Sequence, residues 1–368
     1  MQLLSPGSCS RWRCLLVGVV CWCGSSLVVR GQDASDTPDK VILSPGGRSS
    51  TRVTLKGEIL EYTGETLRIR LKLGEAAKEF PAADVIEIQT PQMTGHQKGL
   101  ELFAKKDYAG AAKAFRTAFD DDSRAWVKRE ILTYLVRCAL MEGDYVNATS
   151  KFAILVRSDP KTHSFPLIPL IWIRQSPNPA LKSQGEAWLL DDKQPVAVRL
   201  MGASILLDDP QFGTTASVAL RDLAAQSDRR VGVLAACQQW RTRLATRKEI
   251  NPTELKVWEQ KLESLPEELR GGPHFLMGRA YTSRREFELA AVHLLWTPLV
   301  QPDDHFLAAR ATLEAADALA TIGQLEEAAR LYEETSDRYA GTPSAQEAAS
   351  QLKELLKQAN GANGATAK

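Results

Sequence analysis

The sequence predicts a mainly α-helical chain with a small antiparallel β unit of four or five strands ahead of the helices. Three observations carry this prediction. Apolar residues alternate at period two between residues 40 and 90, they recur at helical spacing from about residue 92 onward, and one aromatic–alanine spacing repeats along the helical part. The chain has 368 residues, 44% hydrophobic and 25% charged, which suits a globular protein with a sizeable core. The boundaries read from these patterns are a leader at 1–31, a polar linker at 32–39, the β unit at 40–90 and a hairpin pair at 91–163. A proline-rich segment with weaker hairpins follows at 164–270, then a second pair with a capping helix at 271–357 and a disordered tail at 358–368.

Arg11 and Arg13 precede the mostly apolar stretch from Cys14 to Val29, and small and polar residues follow it. A basic flank, a short apolar core and a small-residue exit form the pattern of a secretory signal peptide. The core is short of the roughly 20 residues a spanning helix needs, so export is the reading and an uncleaved N-terminal anchor the alternative. The net charge of +1 turns slightly negative once Arg11, Arg13 and Arg30 are removed. No global field then steers the chain to nucleic acid, and membrane contact is expected only if the leader is retained. Outside the leader only Cys138 and Cys237 remain, both in apolar helical patterns. Two buried thiols are expected; an oxidising compartment also permits one disulfide.

Within the β unit Val53 and Leu55 alternate with Arg52, Thr54 and Lys56, and Leu67, Ile69, Leu71 and Leu73 alternate with Arg68, Arg70 and Lys72. The unit looks like a small SH3-like or Sm-like barrel. Its size makes independent stability marginal, so it is expected to pack on the helices behind it. The row Arg68, Arg70, Lys72 reads as a solvated sheet face that discourages edge pairing.

From residue 92 the spacing Tyr108, Ala111, Phe115 returns as Tyr145, Ala148, Phe152, with Gly99 ahead of the first set and Pro160 after the second. It reappears at Gly278, Tyr281, Phe287, Ala290, Leu294 and Pro302, and again at Ala316, Gly323, Ala328 and Tyr332. These residues resemble the tetratricopeptide repeat (TPR), a pair of antiparallel helices of about 34 residues. The resemblance implies a TPR-like α-solenoid, with helix A of the first repeat near 92–105 and helix B at 108–121. The tryptophan position of the family is unfilled and the periods are longer, so the superhelical pitch is not carried over. The stretch YAGTPSAQEAASQL is similar to repeat ends of exported bacterial TPR proteins of envelope assembly, and Ser344 is placed to cap a final helix at 345–357.

Between the pairs, Pro166 and Pro169 interrupt the apolar run FPLIPLIWI and exclude one regular helix there. This run reads as a cap on the last apolar face of the first pair. Gly271-Gly272-Pro273 reads as a hinge before the second pair.

The sequence offers no recognisable catalytic pattern. His96, His163, His274, His293 and His305 are scattered, no nucleotide loop or nucleophile elbow occurs, and Asp120-Asp121-Asp122 lacks the alternation of a calcium loop. Asn147-Ala148-Thr149 is a glycosylation sequon within a helical pattern. The expectation is a non-enzymatic protein with no metal and no cofactor. In the TPR family, inner positions of helix A line a concave groove. The resemblance places His96, Leu100, Phe103, Thr133, Arg137, Met141, Phe275, Arg279 and Asp317 there. His96 and Leu100 stand where chaperone-binding members carry lysine and asparagine, which puts that clamp in doubt. The implied partner is a protein or peptide, not nucleic acid. The implied role is a scaffold in envelope-associated assembly; the alternative is a recognition or regulatory subunit of an exported enzyme complex.

Overall fold

The computed structural model describes residues 38–47, 52–246 and 248–366, so the expected leader lies outside the described residues. Period-two alternation becomes five strands, β1 (Asp39–Leu43), β2 (Val53–Tyr62), β3 (Thr66–Arg70), β4 (Lys78–Pro81) and β5 (Val85–Gln89), all paired antiparallel in the order β4-β3-β2-β1-β5. Val41, Leu43, Ile59, Leu67 and Ile69 supply the buried face. The alternation of the third strand was expected to run on to Leu73. It stops at Arg70, and Leu73 stands 95% exposed in the turn that follows. The basic row of β3 is answered across the sheet. Arg70 pairs with Glu58 at 2.8 Å, and Arg68 lies in register with Glu61 and Glu79.

Fourteen α-helices follow among the described residues. The first four are α1 (Thr94–Ala104), α2 (Tyr108–Asp121), α3 (Ala125–Met141) and α4 (Tyr145–Ser158). The middle of the chain forms α5 (Pro179–Leu189), α6 (Val196–Leu206), α7 (Gly213–Ala224), α8 (Arg229–Ala245) and α9 (Pro252–Glu263). The second expected pair is α10 (Gly271–Ser283), α11 (Phe287–Val300), α12 (His305–Thr321) and α13 (Leu325–Arg338), and α14 (Pro343–Thr366) closes the chain. α14 runs through the stretch expected to be disordered, where no proline stops it after Pro343. The Gly-Gly-Pro expected to be a hinge is the buried first turn of α10, where proline costs no backbone hydrogen bond.

One turn recurs in the four hairpins that carry the sequence repeat. Lys106, Gly143, Arg285 and Gly323 each take a left-handed φ of 62 to 83°. Each donates its N–H back three residues, and the next residue donates five residues back, as in Asp107 N–H to Leu102 O at 3.0 Å and Glu286 N–H to Tyr281 O at 3.0 Å. This is the Schellman ending, which satisfies the last carbonyls of helix A. Asp107 and Asp144 then cap helix B through Gly110 N–H at 2.9 Å and Asn147 N–H at 3.0 Å. The small residues of the repeat allow close helix crossings. A Cβ on Gly99 would stand 2.6 Å from the Phe115 ring, and one on Gly278 would stand 2.5 Å from Leu294.

The sheet docks on these helices, as its size requires. Trp126 of α3 donates to the Ile59 carbonyl at 3.2 Å, Arg129 donates to Tyr62 O at 2.8 Å and pairs with Glu61, and Gly64 N–H donates to Asp159 at 2.9 Å. Cys138 and Cys237 are both buried and free. Burial pushes the Cys138 thiol up to about 12 and raises that of Cys237 as well.

Lys106 and Arg285 hold a left-handed backbone that glycine adopts without steric cost. Replacing Arg285→Gly or Lys106→Gly should therefore stabilise the chain by about 0.5–1 kcal/mol. A urea midpoint unchanged or lowered in both variants would contradict this account of the turn.

Candidate functional site

Pro166 and Pro169 keep the run from 165 to 173 out of a long helix. Only a 3-10 turn forms, Phe165–Leu167, and the chain then runs on without helix or strand, Leu170 N–H donating to Ile168 O at 3.0 Å. Phe165, Ile168, Leu170, Ile171 and Trp172 are all at least 96% buried. The run is not merely a cap on α4. Phe165 packs edge-on against Phe152, Ile171 N–H donates to Ser204 Oγ of α6 at 2.9 Å, and the Trp172 indole lies against Gly272 of α10 so closely that a Cβ there would be 1.9 Å away. Ser204 is tied in turn to Gln238 at 3.1 Å, and Arg241 donates to Ser204 O at 2.9 Å and pairs with Asp208. One segment thus joins the first hairpins, the middle helices and α10.

Trp172 and Arg310 both line two clefts, of about 480 and 510 Å³. The first is walled by Arg241 and Leu244 of α8, Arg279 and Thr282 of α10, and Glu314 and Asp317 of α12, with Arg174 at the end of that run. Its guanidinium groups share carboxylates. Arg174 approaches Asp208 at 3.4 Å beside Arg241, while Arg279 and Arg310 meet Glu314 at 3.3 and 2.7 Å. Arg310 also reaches Glu347 at 2.8 Å. Burial works against the charge on Arg310, but these two carboxylates hold its pKa above the ordinary value. Burial raises the pKa of Asp317, opposed by the Tyr332 hydroxyl that donates to it at 2.7 Å. Arg279 and Arg174 are the loosely held pair, with side chains 39% and 66% exposed. Their own ion pairs, at 3.3 and 3.4 Å, are long and half-solvated.

The nine residues expected in one groove fall in different surroundings. Arg279 and Asp317 line the cleft just described. Phe275 is fully buried beneath the Arg279 guanidinium, 5.4 Å from it. His96 is fully buried against Phe115 and Tyr134, both ring nitrogens lack partners, and burial lowers its pKa. Leu100 and Met141 are half-buried, with Leu100 packed against the core. Thr133 hydrogen-bonds to Ser164 at 2.9 Å beside the sheet, away from the groove. Phe103 and Arg137 stack, the guanidinium 4.8 Å from the ring, and Arg137 pairs with Asp303 at 3.0 Å.

That last pair is part of a contact that the repeat pattern does not show. The first hairpin pair meets the start of α12, where Tyr145 donates to Asp304 at 2.8 Å and the Phe306 ring sits against Gly143. Gly143 serves twice there, supplying the left-handed turn and the space for that ring. Arg137, with Phe103 stacked on it, is therefore engaged by the chain itself. Trp172, Arg174, Arg241, Arg310 and Glu314 were missed. Arg310 and Glu314 share a helical face with Asp317 and were readable; Trp172 and Arg174 come from a segment with no periodicity.

A helical-hairpin protein with a five-stranded sheet ahead of the helices and two clefts that meet at Trp172 and Arg310 is the class that fold and site define. None of its described helices is long and apolar enough to cross a membrane. No protein-family model matches the chain, and no curated protein matches it either.

Asp304 supplies a pH dependence with a definite sign. Burial raises its pKa from 3.8 to about 6, against the opposing hydrogen bonds from Leu307 N–H and Tyr145. A carboxyl raised in the folded state contributes stability that is present below its unfolded pKa and lost as pH rises through the folded one. The stability of wild type relative to Asp304→Asn should fall between pH 4 and pH 6 and level off above. A difference that stays flat across that window, read by thermal unfolding, would refute it.

Proposed function

We propose that this chain is an exported, non-enzymatic scaffold of the TPR type that holds an extended segment of a partner protein in the cleft beside Trp172. The observation that carries the reading is the cleft itself. It is lined by Arg279, Arg310, Glu314 and Asp317, with Arg174 and Arg279 loosely held and open to solvent. Guanidinium groups whose carboxylates are shared favour a ligand that brings carboxylates of its own. The fourfold Schellman turn and its near-constant period support the repeat assignment, and Arg11, Arg13 and the apolar run behind them support export. The envelope-assembly role rests on the sequence alone.

Two experiments test this. A photo-crosslinking residue at Thr282, inside the cleft, should trap a discrete partner in cell envelope fractions, and Arg279→Glu should abolish the adduct. The same probe at Val292, on the outer side of α11, should trap none; equal adducts from both positions would rule the cleft out. Separately, residues 1–37 fused to alkaline phosphatase, which needs disulfides to be active, should give activity only by reaching an oxidising compartment. An inactive, full-length fusion would remove export from the proposal.

A further inference from the structure

A third cleft, of about 240 Å³, lies beside the sheet and not beside Trp172. Its lining includes Val85, Ile86, Glu87 and Ile88, four consecutive residues of β5. Side chains of a strand alternate between its two faces, so a cleft that meets four in a row runs along the strand's edge. One edge of β5 is paired with β1; among the described residues no strand pairs with its other edge, which borders the cleft. The two outer strands differ in how that edge is protected. β4 carries Lys78 and ends on Pro81, both of which discourage pairing with another chain. β5 reads VIEIQ, with neither lysine nor proline. A bulge leaves Ile86 without a partner on β1, and its side chain stays 50% exposed.

The far wall is α3 and the segment after α4, and its charge has one sign in excess. Glu87 of β5 and Glu130 and Asp159 of the far wall bring three carboxyl groups to the lining; burial raises the pKa of Glu130, opposed by Arg124 nearby. Arg129 is the one cation among the lining residues, and it is already committed to Glu61 and to the Tyr62 carbonyl. His163 stacks on Tyr62 with ring centroids 5.4 Å apart, and burial lowers its pKa, so it adds no charge at neutral pH. Asp159 accepts from Gly64 and Lys161 N–H at 2.9 and 3.2 Å, which are uncharged partners.

We propose that β5 and this cleft bind an extended peptide segment of a partner, which adds to the sheet as a further strand and places a lysine or arginine side chain among Glu87, Glu130 and Asp159. Main-chain hydrogen bonds along β5 provide affinity, and the carboxylates select the side chain. The site is independent of the cleft beside Trp172 and stands whether or not that cleft binds a partner.

The test uses the full chain and a capped, fluorescent pentapeptide of threonine, valine, lysine, valine and threonine, followed by anisotropy. Saturable binding is expected. Exchanging the lysine for glutamate should weaken it by about tenfold or more, the scale of one charge-assisted hydrogen bond. N-methylation of alternate peptide nitrogens should abolish binding in one of the two alternating sets. Glu87→Gln with Glu130→Gln should weaken the lysine peptide by about tenfold with an unchanged melting temperature, and the same charge change at exposed Glu326 and Glu327 of α13 (Glu326→Gln with Glu327→Gln) should bind it like wild type. Absence of saturable binding, indifference to N-methylation or to the lysine-to-glutamate exchange, or an equal loss of binding with Glu326→Gln and Glu327→Gln would each overturn the proposal. The peptide series on wild-type protein decides the matter even if the double variant does not fold.

Discussion

The burial of residues 165–173 is the constraint on which the arrangement of the helices depends. Two prolines deny this run a long helix, yet its apolar side chains have to leave water. The solution is an irregular chain threaded between α4, α6 and α10, with its backbone polar groups partly answered by Ser204 and its largest ring seated on Gly272. Burial of a tryptophan of this kind is worth about 3–5 kcal/mol against its removal to alanine. A stack of hairpins with nothing between its parts would have left an open groove. Here Trp172 lines both clefts, and the two hairpin pairs touch through Tyr145, Asp304 and Phe306.

The ionic groups follow from that threading. Bringing α8, α10 and α12 around one segment places Arg241, Arg279 and Arg310 within reach of only a few carboxylates. Arg241 is 95% buried and so has to be paired; it takes Asp208, Gln238 and the Ser204 carbonyl. Burial lowers its pKa, and Asp208 opposes that shift. Arg174 and Arg279 are left with longer contacts and more water. Such half-solvated pairs add little to stability, which leaves them available for a ligand. On the opposite side, the sheet keeps β4 protected and β5 open. The two candidate surfaces thus carry opposite charge preferences: guanidinium groups in the cleft beside Trp172, carboxylates at the sheet edge.

Much of the architecture was legible because it is local. Helix 108–121 has the boundaries expected from Tyr108, Ala111 and Phe115, and Gly99 makes the close crossing that its place in the pattern implied. The β unit was legible as four or five antiparallel strands, with β2 and β3 on the alternations at Val53 and Leu67, although Leu73 lies in a turn, since alternation alone does not say where pairing ends. His96 and Phe275 show why the binding surface was less legible. Both occupy positions that a family groove would expose, but a helix face is inner or buried according to what packs on it, and here Phe115 and Tyr134 cover one and Arg279 the other.

The sequence by itself determined the order of elements, the hairpin period and the turns, because each depends on residues close together in the chain: a left-handed residue, a capping aspartate, an apolar face at i, i+4 and i+7. Only the tertiary structure decided that Arg137 pairs with Asp303, that Trp172 lines two clefts, and that four residues of β5 face a pocket built from α3. Those contacts join segments up to 166 residues apart. Their partners are set by how the hairpins stack, a geometry that no local spacing encodes.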